Sequence, residues 1–508
     1  MTTTERLALR VVQLGAIAVI LAASTLTAFD LDRFFVPKEL VLHLTALVAG
    51  LMLFRRVPGA RVDLLLAAYL GLGVLSAVMA TNPWLAIRAM AISASGILLF
   101  WIARALRAAG LARPLLGVLA LAVVLAAVTS LLQTYGVDLA LFADTRAPGG
   151  TLGNRNFVAH VAAFGLPLLL LVALRRKAGM LGVAIVTASL VLTRSRAAWL
   201  ALGAVVVVFL LAILVSPLLR RDPRTWRRLV LAALCAGAGV AAALTIPNAL
   251  HWRGKDPYLQ TVKRVADYQG GSGRGRLVQF AQSLKMAARH PLFGVGPGNW
   301  PVVYPAHAAR NDPSMSDSEA GMTSNPWPSS DWVAWVAERG VAAVVLLALA
   351  FAGIAAGGLR QLRAALDADE ALLAASLLAT LAGIAVTGLF DAVLLLAVPT
   401  FLAWTALGAL WVPREERSAN RLVLFGVIVI CALGAVRSAS ELTAMRIYAT
   451  RSDRASLTRA AQIDPGNYRI QMRLAHLGGR GRCEHARAAR ALFPNAKAAA
   501  EVARGCGK

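Results

Sequence analysis

The chain has 508 residues, of which 58% are hydrophobic and 15% charged, and its formal net charge is +26. The basic residues are spread over many short segments between apolar runs without forming a concentrated basic stripe, so nucleic acid is not an expected partner. Basic loops of this kind are typical of a membrane protein whose loops face anionic lipid headgroups.

Thirteen apolar runs follow one another along the chain, and each covers most of a bilayer's thickness. They span 9–29, 39–54, 62–80, 84–103, 114–134, 157–174, 178–193, 197–216, 229–246, 331–357, 370–390, 392–411 and 421–438. The runs lack the alternation of barrel strands, and backbone amides cannot stay unpaired in hydrocarbon, so each run is predicted to be a helix. The predicted fold is therefore all-α, a polytopic membrane helix bundle with about 12–13 spans.

The basic residues in the connections predict the orientation of this bundle. Alternate short connections hold 21 Lys and Arg on one side and six on the other. The positive-inside rule then predicts a cytoplasmic N-terminus, with the long loop and the C-terminus outside the membrane. The first apolar run is long enough to span and lacks a clear cleavage site, so no cleavable signal peptide is expected. In a bacterium the protein would lie in the cytoplasmic (inner) membrane.

The chain is predicted to divide into four parts. They are an N-terminal transmembrane bundle (1–246), a large periplasmic loop (247–330), C-terminal transmembrane helices (331–438) and a periplasmic helical tail (439–508). In the tail, Pro465 and Pro494 lie 29 residues apart and follow apolar helical patterns, which resembles a degenerate tetratricopeptide-type repeat. Such repeats make surfaces for partners, although so few of them could also serve only to cap the bundle.

The tail also carries a charge and a cysteine pair that predict its surroundings. Its net charge is +8, which suits an acidic glycan or phospholipid neighbour or, alternatively, a merely solvated tail. Cys483 and Cys506 would lie in an oxidising compartment, where a disulfide between them is plausible. Cys235 and Cys431 fall inside apolar helices as packing residues, and the four cysteines form no metal-ligand cluster.

Six basic residues stand in short loops on the predicted outer face, where positive charge is normally scarce. They are Arg33, Lys38, Arg146, Arg155, Arg194 and Arg196. In the long loop, the glycine-rich and arginine-rich segment 270–276 leads into a helical apolar pattern that starts at Leu277. Free amides and arginines at a helix N-terminus would make a cradle for a phosphate or diphosphate, and the alternative is a flexible glycine hinge with solvated arginines.

Several strings in this order are similar to those of one known family. They are FVPK (35–38), GTLGNRNFVAH (150–160), TRSRAAWL (193–200), GRGRLVQF (273–280) and HPLFGVGPGNW (290–300). Together they resemble the bacterial O-antigen ligase and O-antigen polymerase (Wzy-type) superfamily, which includes O-linked protein oligosaccharyltransferases. The resemblance covers about residues 30–412, and members with an added helical-repeat tail are familiar. Its glycine-rich and proline-rich last string requires a fixed, irregular backbone.

The resemblance implies transfer of a glycan from a polyprenyl-diphosphate carrier to an acceptor hydroxyl on a lipid, a glycan or a protein. Neither a metal nor a cofactor is expected for this transfer. Arg196 and Arg276 match the family's recurrent arginines and would stabilise the leaving diphosphate. The residues expected to bind diphosphate or glycan beside them are Arg194, Arg274, Arg155, Asn154, Asn156 and Lys38. The alternatives are interfacial snorkelling for the arginines, helix capping for the asparagines and membrane anchoring for the lysine.

The sequence departs from the family where a general base is expected. Many members have a His-Asn pair about nine residues before a Glu-x-Gly, and Ser329 and Ser330 stand there in this chain. Asp331 is the nearest group able to accept a proton, unless it is only the N-cap of the next helix. His307 is an alternative base in the same loop.

Two more residues near that position are candidates for the site. Trp332 could stack on a sugar ring or could belong to an interfacial aromatic belt. Glu338 lies in a transmembrane run and is expected to pair with an arginine, such as Arg339 or one from another helix.

Three other functions remain open at this stage. A transporter or flippase of lipid-linked glycan would also need arginines in a wet interior, although no internal duplication is evident. A metal-dependent membrane glycosyltransferase could hold a divalent ion with Asp30 and Asp32. Loss of the family histidine could also leave a non-catalytic scaffold.

Overall fold

The computed structural model describes residues 2–143, 145–252, 256–263, 271–415 and 417–506. Within these residues the fold is helical, with one pair of two-residue strands, Pro58–Gly59 against Arg417–Ser418. The helices are α1 Thr3–Leu21, α2 Asp32–Met52, α3 Arg61–Val78, α4 Pro83–Ala108, α5 Ala112–Thr134, α6 Arg155–Ala173, α7 Ala178–Thr193, α8 Arg196–Val215, α9 Pro217–Arg220, α10 Pro223–Thr245, α11 Pro257–Lys263, α12 Gly271–Arg289, α13 Trp300–Val303, α14 Asp331–Ala364, α15 Ala368–Phe390, α16 Ala397–Leu410, α17 Arg421–Thr450, α18 Arg454–Ile463, α19 Tyr468–His476, α20 Arg482–Leu492 and α21 Lys497–Arg504.

Every predicted apolar run falls on one of these helices, which confirms the all-α bundle. Ten of the helices in the described residues are long and apolar enough to cross a membrane, whereas α7 and α16 are apolar but shorter. The first predicted run was too long. The helix α1 ends at Leu21, and the backbone N–H of Ser24 donates to the carbonyl of Arg33 at 2.8 Å, which turns the chain toward α2.

The helices pack around one large apolar core. Helix α15 lies against α8 and α6, α4 against α16, and α17 against α2 and α4. Small residues permit close approaches, as at Gly408, where an added Cβ would clash with the backbone carbonyl of Phe100. Such packing is what holds helices together in lipid, where no hydrophobic driving force acts between them.

Helix α14 is broken at Gly340, and the break anchors the long loop. Gly340 has φ 77° and ψ 170°, a conformation that glycine adopts without a steric penalty. The segment 291–296 crosses this break: the N–H of Val295 donates to the carbonyl of Ala337, and that of Val341 donates to the carbonyl of Pro291. The irregular backbone predicted for residues 290–300 is therefore confirmed, with Gly294, Gly296 and Gly298 all at positive φ.

The C-terminal tail consists of two helical hairpins, α18–α19 and α20–α21, and Cys483 and Cys506 form the predicted disulfide within the second one. The tail is docked rather than free. The N–H of Lys497 donates to the carbonyl of Ala320 at 2.9 Å, and the side chain of Asn495 donates to the carbonyl of Val302 at 3.0 Å. The tail thus packs on the long loop at the end of the bundle where that loop lies.

Candidate functional site

A polar cavity of about 360 Å³ opens at the end of the bundle that carries the long loop. Four parts of the chain meet there: the loop before α6 with the first residues of α6, helix α12, the segment 313–329, and the residue that follows α15. Its lining residues are Arg146, Asn154, Asn156, Phe157, Gly275, Arg276, Gln279, Pro313, Ser314, Asn325, Trp327, Ser329 and Asp391. Parts of the chain that lie far apart in sequence therefore bring cations, amides, an aromatic ring and a carboxylate together.

Two arginines supply the positive charge of this cavity. Arg276 and Arg146 are both half-buried. Helix α12 begins at Gly271, so Arg276 lies in its second turn. The helical pattern was predicted to start at Leu277, and the helix begins six residues earlier; Gly270 of the predicted cradle segment lies outside the described residues. Gly273 and Gly275 are part of this helix, and Arg276 lines the cavity from it.

Asn154 and Asn156 line the cavity from the start of α6. Asn154 is the N-cap of α6, and its Oδ1 atom accepts the N–H of Asn156 at 3.0 Å. The capping interpretation is confirmed for Asn154, while both carboxamides still line the cavity. A capped helix start holds these two side chains in fixed positions.

Gln279 joins the α12 wall to the segment 313–329. Its Oε1 atom accepts the N–H of Ser329 at 2.6 Å, and its Nε2 atom donates to Oγ of Ser314 at 3.1 Å. Trp327 forms an aromatic wall, with its ring edge-on to Phe35 at a centroid distance of 5.1 Å. Ser329 also lines the cavity. It is one of the two serines at the position where the family has a histidine, so this chain offers a hydroxyl there and no imidazole.

The carboxylate of the cavity belongs to Asp391. Its Oδ1 atom accepts the N–H of Ala392 at 2.9 Å, and its Oδ2 atom lies 3.8 Å from Nε2 of His160. Sequence reasoning missed both residues. The available signals were a lone carboxylate between two apolar runs for Asp391 and an ionisable residue inside a membrane helix for His160, both of which are uncommon without a function.

Arg155 and Arg194 form a separate basic cluster beside the cavity. Their guanidinium carbons lie 4.7 Å and 4.9 Å from the ring centroid of Trp252. Arg194 also donates to Oγ1 of Thr261 at 2.9 Å, and burial lowers the pKa of this guanidinium. Arg196 begins α8 and is half-buried, and it is not among the described residues that line the cavity.

The two predicted cations near the start of α2 brace the fold instead. Lys38 is 2% exposed, and its ammonium donates to the carbonyls of Ala22 and Thr151. Arg33 donates to the carbonyls of Ala140 and Phe142 at 2.8 Å and 3.0 Å. Because these groups already bind buried carbonyls, they position the loops around the cavity and do not line it.

Asp331, the predicted base, lies outside the cavity. It is 2% exposed, and its two oxygens accept the N–H groups of Val393 and Leu394 at 2.9 Å and 3.0 Å. It is not the N-cap of α14 either, because Ser330 is the cap. The carboxylate therefore fastens the start of α14 to the chain between α15 and α16.

Glu338 was expected to pair with an arginine, and that expectation was wrong for the described part of the chain. Its carboxylate accepts the N–H groups of Gly298 and Trp300 at 2.8 Å and 3.2 Å. Arg339 points elsewhere and donates to the hydroxyls of Tyr69 and Ser93, both at 2.7 Å. The glycine-rich turn offers free amides that satisfy the buried carboxylate, so no cation is needed.

The last three predicted residues lie apart from the cavity lining. Trp332 packs edge-on against Trp335 with a centroid distance of 5.3 Å. His307 lies 3.5 Å from Arg289, and its pKa is lowered by burial and by that guanidinium. Arg274 is exposed on α12.

Residues 181–348 match the family model described as O-Antigen ligase (Wzy_C). No curated protein sequence matches the chain. The matched segment covers about a third of the chain and contains Arg196, Arg276 and Glu338, so this part of the chain is similar to the O-antigen ligase family.

Proposed function

We propose that the chain transfers a glycan from a polyprenyl-diphosphate carrier to an acceptor hydroxyl. The observation that carries the proposal is the composition of the cavity: two arginines, three asparagines, a tryptophan and one carboxylate meet in about 360 Å³. A diphosphate needs the cations, a saccharide needs the amides and the aromatic ring, and an acceptor hydroxyl needs a group that takes its proton.

The arginines would act on the leaving group. When the bond between the sugar and the carrier breaks, negative charge grows on the diphosphate, and fixed guanidinium groups stabilise that charge more than they stabilise the bound donor. Arg276 and Arg146 approach from different parts of the chain, so they can bind both phosphates at once. Arg155, Arg194 and Arg196 would form a second tier of positive charge around the entrance. Arg274 and Lys38 remain weaker candidates, since Arg274 is exposed and Lys38 already binds carbonyls.

The neutral residues would bind the saccharide. Carboxamide groups donate and accept hydrogen bonds with sugar hydroxyls, which suits Asn154, Asn156 and Asn325. Trp327 offers an apolar ring face of the kind on which sugar rings stack. Trp332 and His307 lie outside the lining and would contribute only if the acceptor extends beyond the cavity.

The orientation of the bundle is part of the proposal. The cavity lies at the end whose short loops hold six basic residues against 21 on the alternate connections, which supports an extracytoplasmic site. The protein would then lie in the bacterial inner membrane with its long loop in the periplasm. The proposal also includes the division of the chain after residues 246, 330 and 438, and the interpretation of the tail as a tetratricopeptide-like repeat.

The acceptor distinguishes three subtypes of this activity. It could be lipid A core, a growing glycan or a protein hydroxyl, each reached from the outer surface beside the tail. The tail, with its net charge of +8, packs on residues 320 and 302 of the long loop, so an acidic acceptor would be held near the site.

One experiment separates this function from its rivals. The purified protein is reconstituted in liposomes with a polyprenyl-diphosphate-linked oligosaccharide and, in parallel, lipid A core, free oligosaccharide or a serine-containing peptide. The proposal predicts acceptor-dependent release of polyprenyl diphosphate that persists in EDTA. Release abolished by EDTA would favour the metal-dependent transferase, in which Asp32 would have to leave its ion pair with Arg88. Movement of donor across the bilayer without cleavage would favour a flippase, and donor binding without either process a scaffold.

A further inference from the structure

A buried histidine without hydrogen bonds lies behind the cavity carboxylate. His160 is 1% exposed, and both of its ring nitrogens are buried without a hydrogen-bond partner in the described part of the chain. A buried imidazole with two unsatisfied nitrogens costs free energy, so its presence calls for a role other than packing. It lies four residues after Asn156 in α6, which puts both side chains on the face of the helix that meets the cavity.

Asp391 stands between this imidazole and the cavity. Its Oδ1 atom is engaged by the N–H of Ala392, whereas the described residues provide no hydrogen-bond donor to Oδ2. That free oxygen lies 3.8 Å from Nε2 of His160, and the side chain keeps 13% of its surface accessible. A small side-chain movement, of the kind that substrate binding induces, would bring these two atoms within hydrogen-bond distance.

The other candidate proton acceptors are already occupied or distant. Asp331 uses both oxygens to accept backbone N–H groups, and His307 faces Arg289. Ser329 lines the cavity, but its hydroxyl is no base by itself. Ser330 donates its hydroxyl to the carbonyl of Gly388 at 2.9 Å.

We propose that Asp391 is the catalytic residue that accepts the proton of the acceptor hydroxyl, and that His160 is a positioning residue that holds its carboxylate. The inference rests on the proposed function and names the base that the serines at 329 and 330 do not supply. The neutral imidazole donates its Nε2–H to Oδ2 and thereby fixes the carboxylate toward the cavity. The general base and its positioning residue would thus come from the end of α15 and from α6, whereas the family's base would stand just before α14.

The atoms of the step balance as follows. The O–H bond of the acceptor breaks and its proton moves to Oδ2 of Asp391. The acceptor oxygen forms a bond to the anomeric carbon of the sugar, while the bond from that carbon to the carrier's phosphate oxygen breaks. The electron pair of the broken bond stays on the diphosphate, whose charge Arg276 and Arg146 bind. Asp391 then releases the proton to water in the cavity.

The test uses the full-length protein in liposomes, the polyprenyl-diphosphate oligosaccharide, and the acceptor class that supports release by the parent. Asp391→Asn keeps an oxygen for the N–H of Ala392 and should lower kcat about 100-fold or more, with the KM for donor nearly unchanged. His160→Asn should lower kcat about tenfold by the same criterion, since it acts through Asp391. Asp138→Asn, an exposed carboxylate in the loop after α5, is the matched control and should behave as the parent.

A second variant separates chemistry from folding. Asp391→Ala leaves a space in the cavity wall, and added formate should restore turnover by taking the proton in place of the lost carboxylate. Formate should not restore turnover in Arg276→Ala. A parental kcat for Asp391→Asn, or an absence of formate rescue in Asp391→Ala that still binds radiolabelled farnesyl diphosphate, would overturn the inference. If Arg276→Ala also keeps parental turnover, the proposed function itself fails, so the two failures are distinguishable.

Discussion

The backbone N–H of Ser329 donates to Oε1 of Gln279 at 2.6 Å, which fastens the segment before α14 to the helix that carries Arg276. Gln279 is 3% exposed and its Nε2 atom holds Ser314 on the same wall. One buried carboxamide thus joins the helix that carries Arg276 to Ser329, the position where the family's base is expected. The geometry of the site depends on this residue although it need not touch the substrate.

Replacing Gln279 by leucine should weaken the site without changing its charge. The substitution leaves the Ser329 N–H unpaired, which costs about 1–3 kcal/mol when the group is buried. We expect a lower melting temperature in detergent and a reduced kcat/KM for donor. Gln282→Leu, on the same helix and with no hydrogen bond to Ser329 in the described part of the chain, serves as the control. Equal melting temperatures for the two variants would contradict the role given to Gln279.

Removing positive charge from the cavity should destabilise the transition state of glycan transfer more than it destabilises the fold. Loss of one fixed donor to a developing anion lowers kcat by about 100- to 1,000-fold in comparable sites, and we expect Arg276→Ala and Arg146→Ala to fall in that range. Steady-state release of polyprenyl diphosphate measures the effect. Lys285→Ala removes an exposed charge from the same helix as Arg276 and should leave the rate unchanged. Equal rates for all three variants would contradict the assignment of Arg276 and Arg146 to the diphosphate site.

Asp331 tests the difference between a structural and a catalytic carboxylate. Asn at this position keeps one acceptor oxygen but turns an amino group toward the second backbone N–H, so a buried bond is lost at a cost of about 1–3 kcal/mol. The expected result of Asp331→Asn is a lower melting temperature and a kcat, per folded molecule, that falls far less than in Asp391→Asn. Thermal unfolding and turnover are measured on the same preparation. The opposite ranking of the two kcat values would return the role of base to Asp331.

The disulfide should stabilise the tail rather than the bundle. It joins positions 23 residues apart, and closing a loop of that order contributes about 3 kcal/mol by restricting the unfolded chain. The double variant Cys483→Ser/Cys506→Ser should therefore expose α20 and α21 to protease while the bundle resists. Cys235→Ser, which removes a free cysteine in α10, provides the control. Unchanged proteolysis of the tail in the double variant would refute this prediction.

The sequence was sufficient for the bundle because membrane helices depend on local composition. Each apolar run became a helix, since the backbone groups of a segment in lipid must be satisfied within that segment. The end of the first run was misjudged because residues 22–29 are apolar enough to continue it, whereas the turn is set by the hydrogen bond from the N–H of Ser24 to the carbonyl of Arg33. That hydrogen bond links the residues after α1 to the start of α2, and no periodicity in the sequence indicates it.

The site was only partly accessible from sequence for a related reason. Arg276, Asn154 and Asn156, which line the cavity, could be singled out from the sequence because their strings are dense in unusual residues. Asp391 and His160 lie 231 positions apart, so no local pattern links the carboxylate between two apolar runs to the imidazole inside a membrane helix. Their approach depends on the packing of α6 against α15, a tertiary contact that no short motif encodes.

Lys38 and Glu338 are the opposite case, because the sequence singled them out as site candidates although the structure places them away from the cavity lining. Both are charged residues at the predicted outer end, where a functional interpretation is reasonable. In the fold they satisfy buried carbonyl and amide groups, which a sequence pattern does not reveal because the partners belong to loops elsewhere in the chain. A charge in a membrane segment thus indicates a polar partner but does not say whether that partner is substrate or backbone.

The most direct measurement is a cryo-EM structure of the protein in nanodiscs with a bound polyprenyl-diphosphate oligosaccharide. The account predicts diphosphate density within hydrogen-bond distance of the guanidinium groups of Arg276 and Arg146, with the first sugar beside Trp327 and Asp391. Diphosphate density at Arg155, Arg194 and Trp252, or outside both clusters, would contradict it.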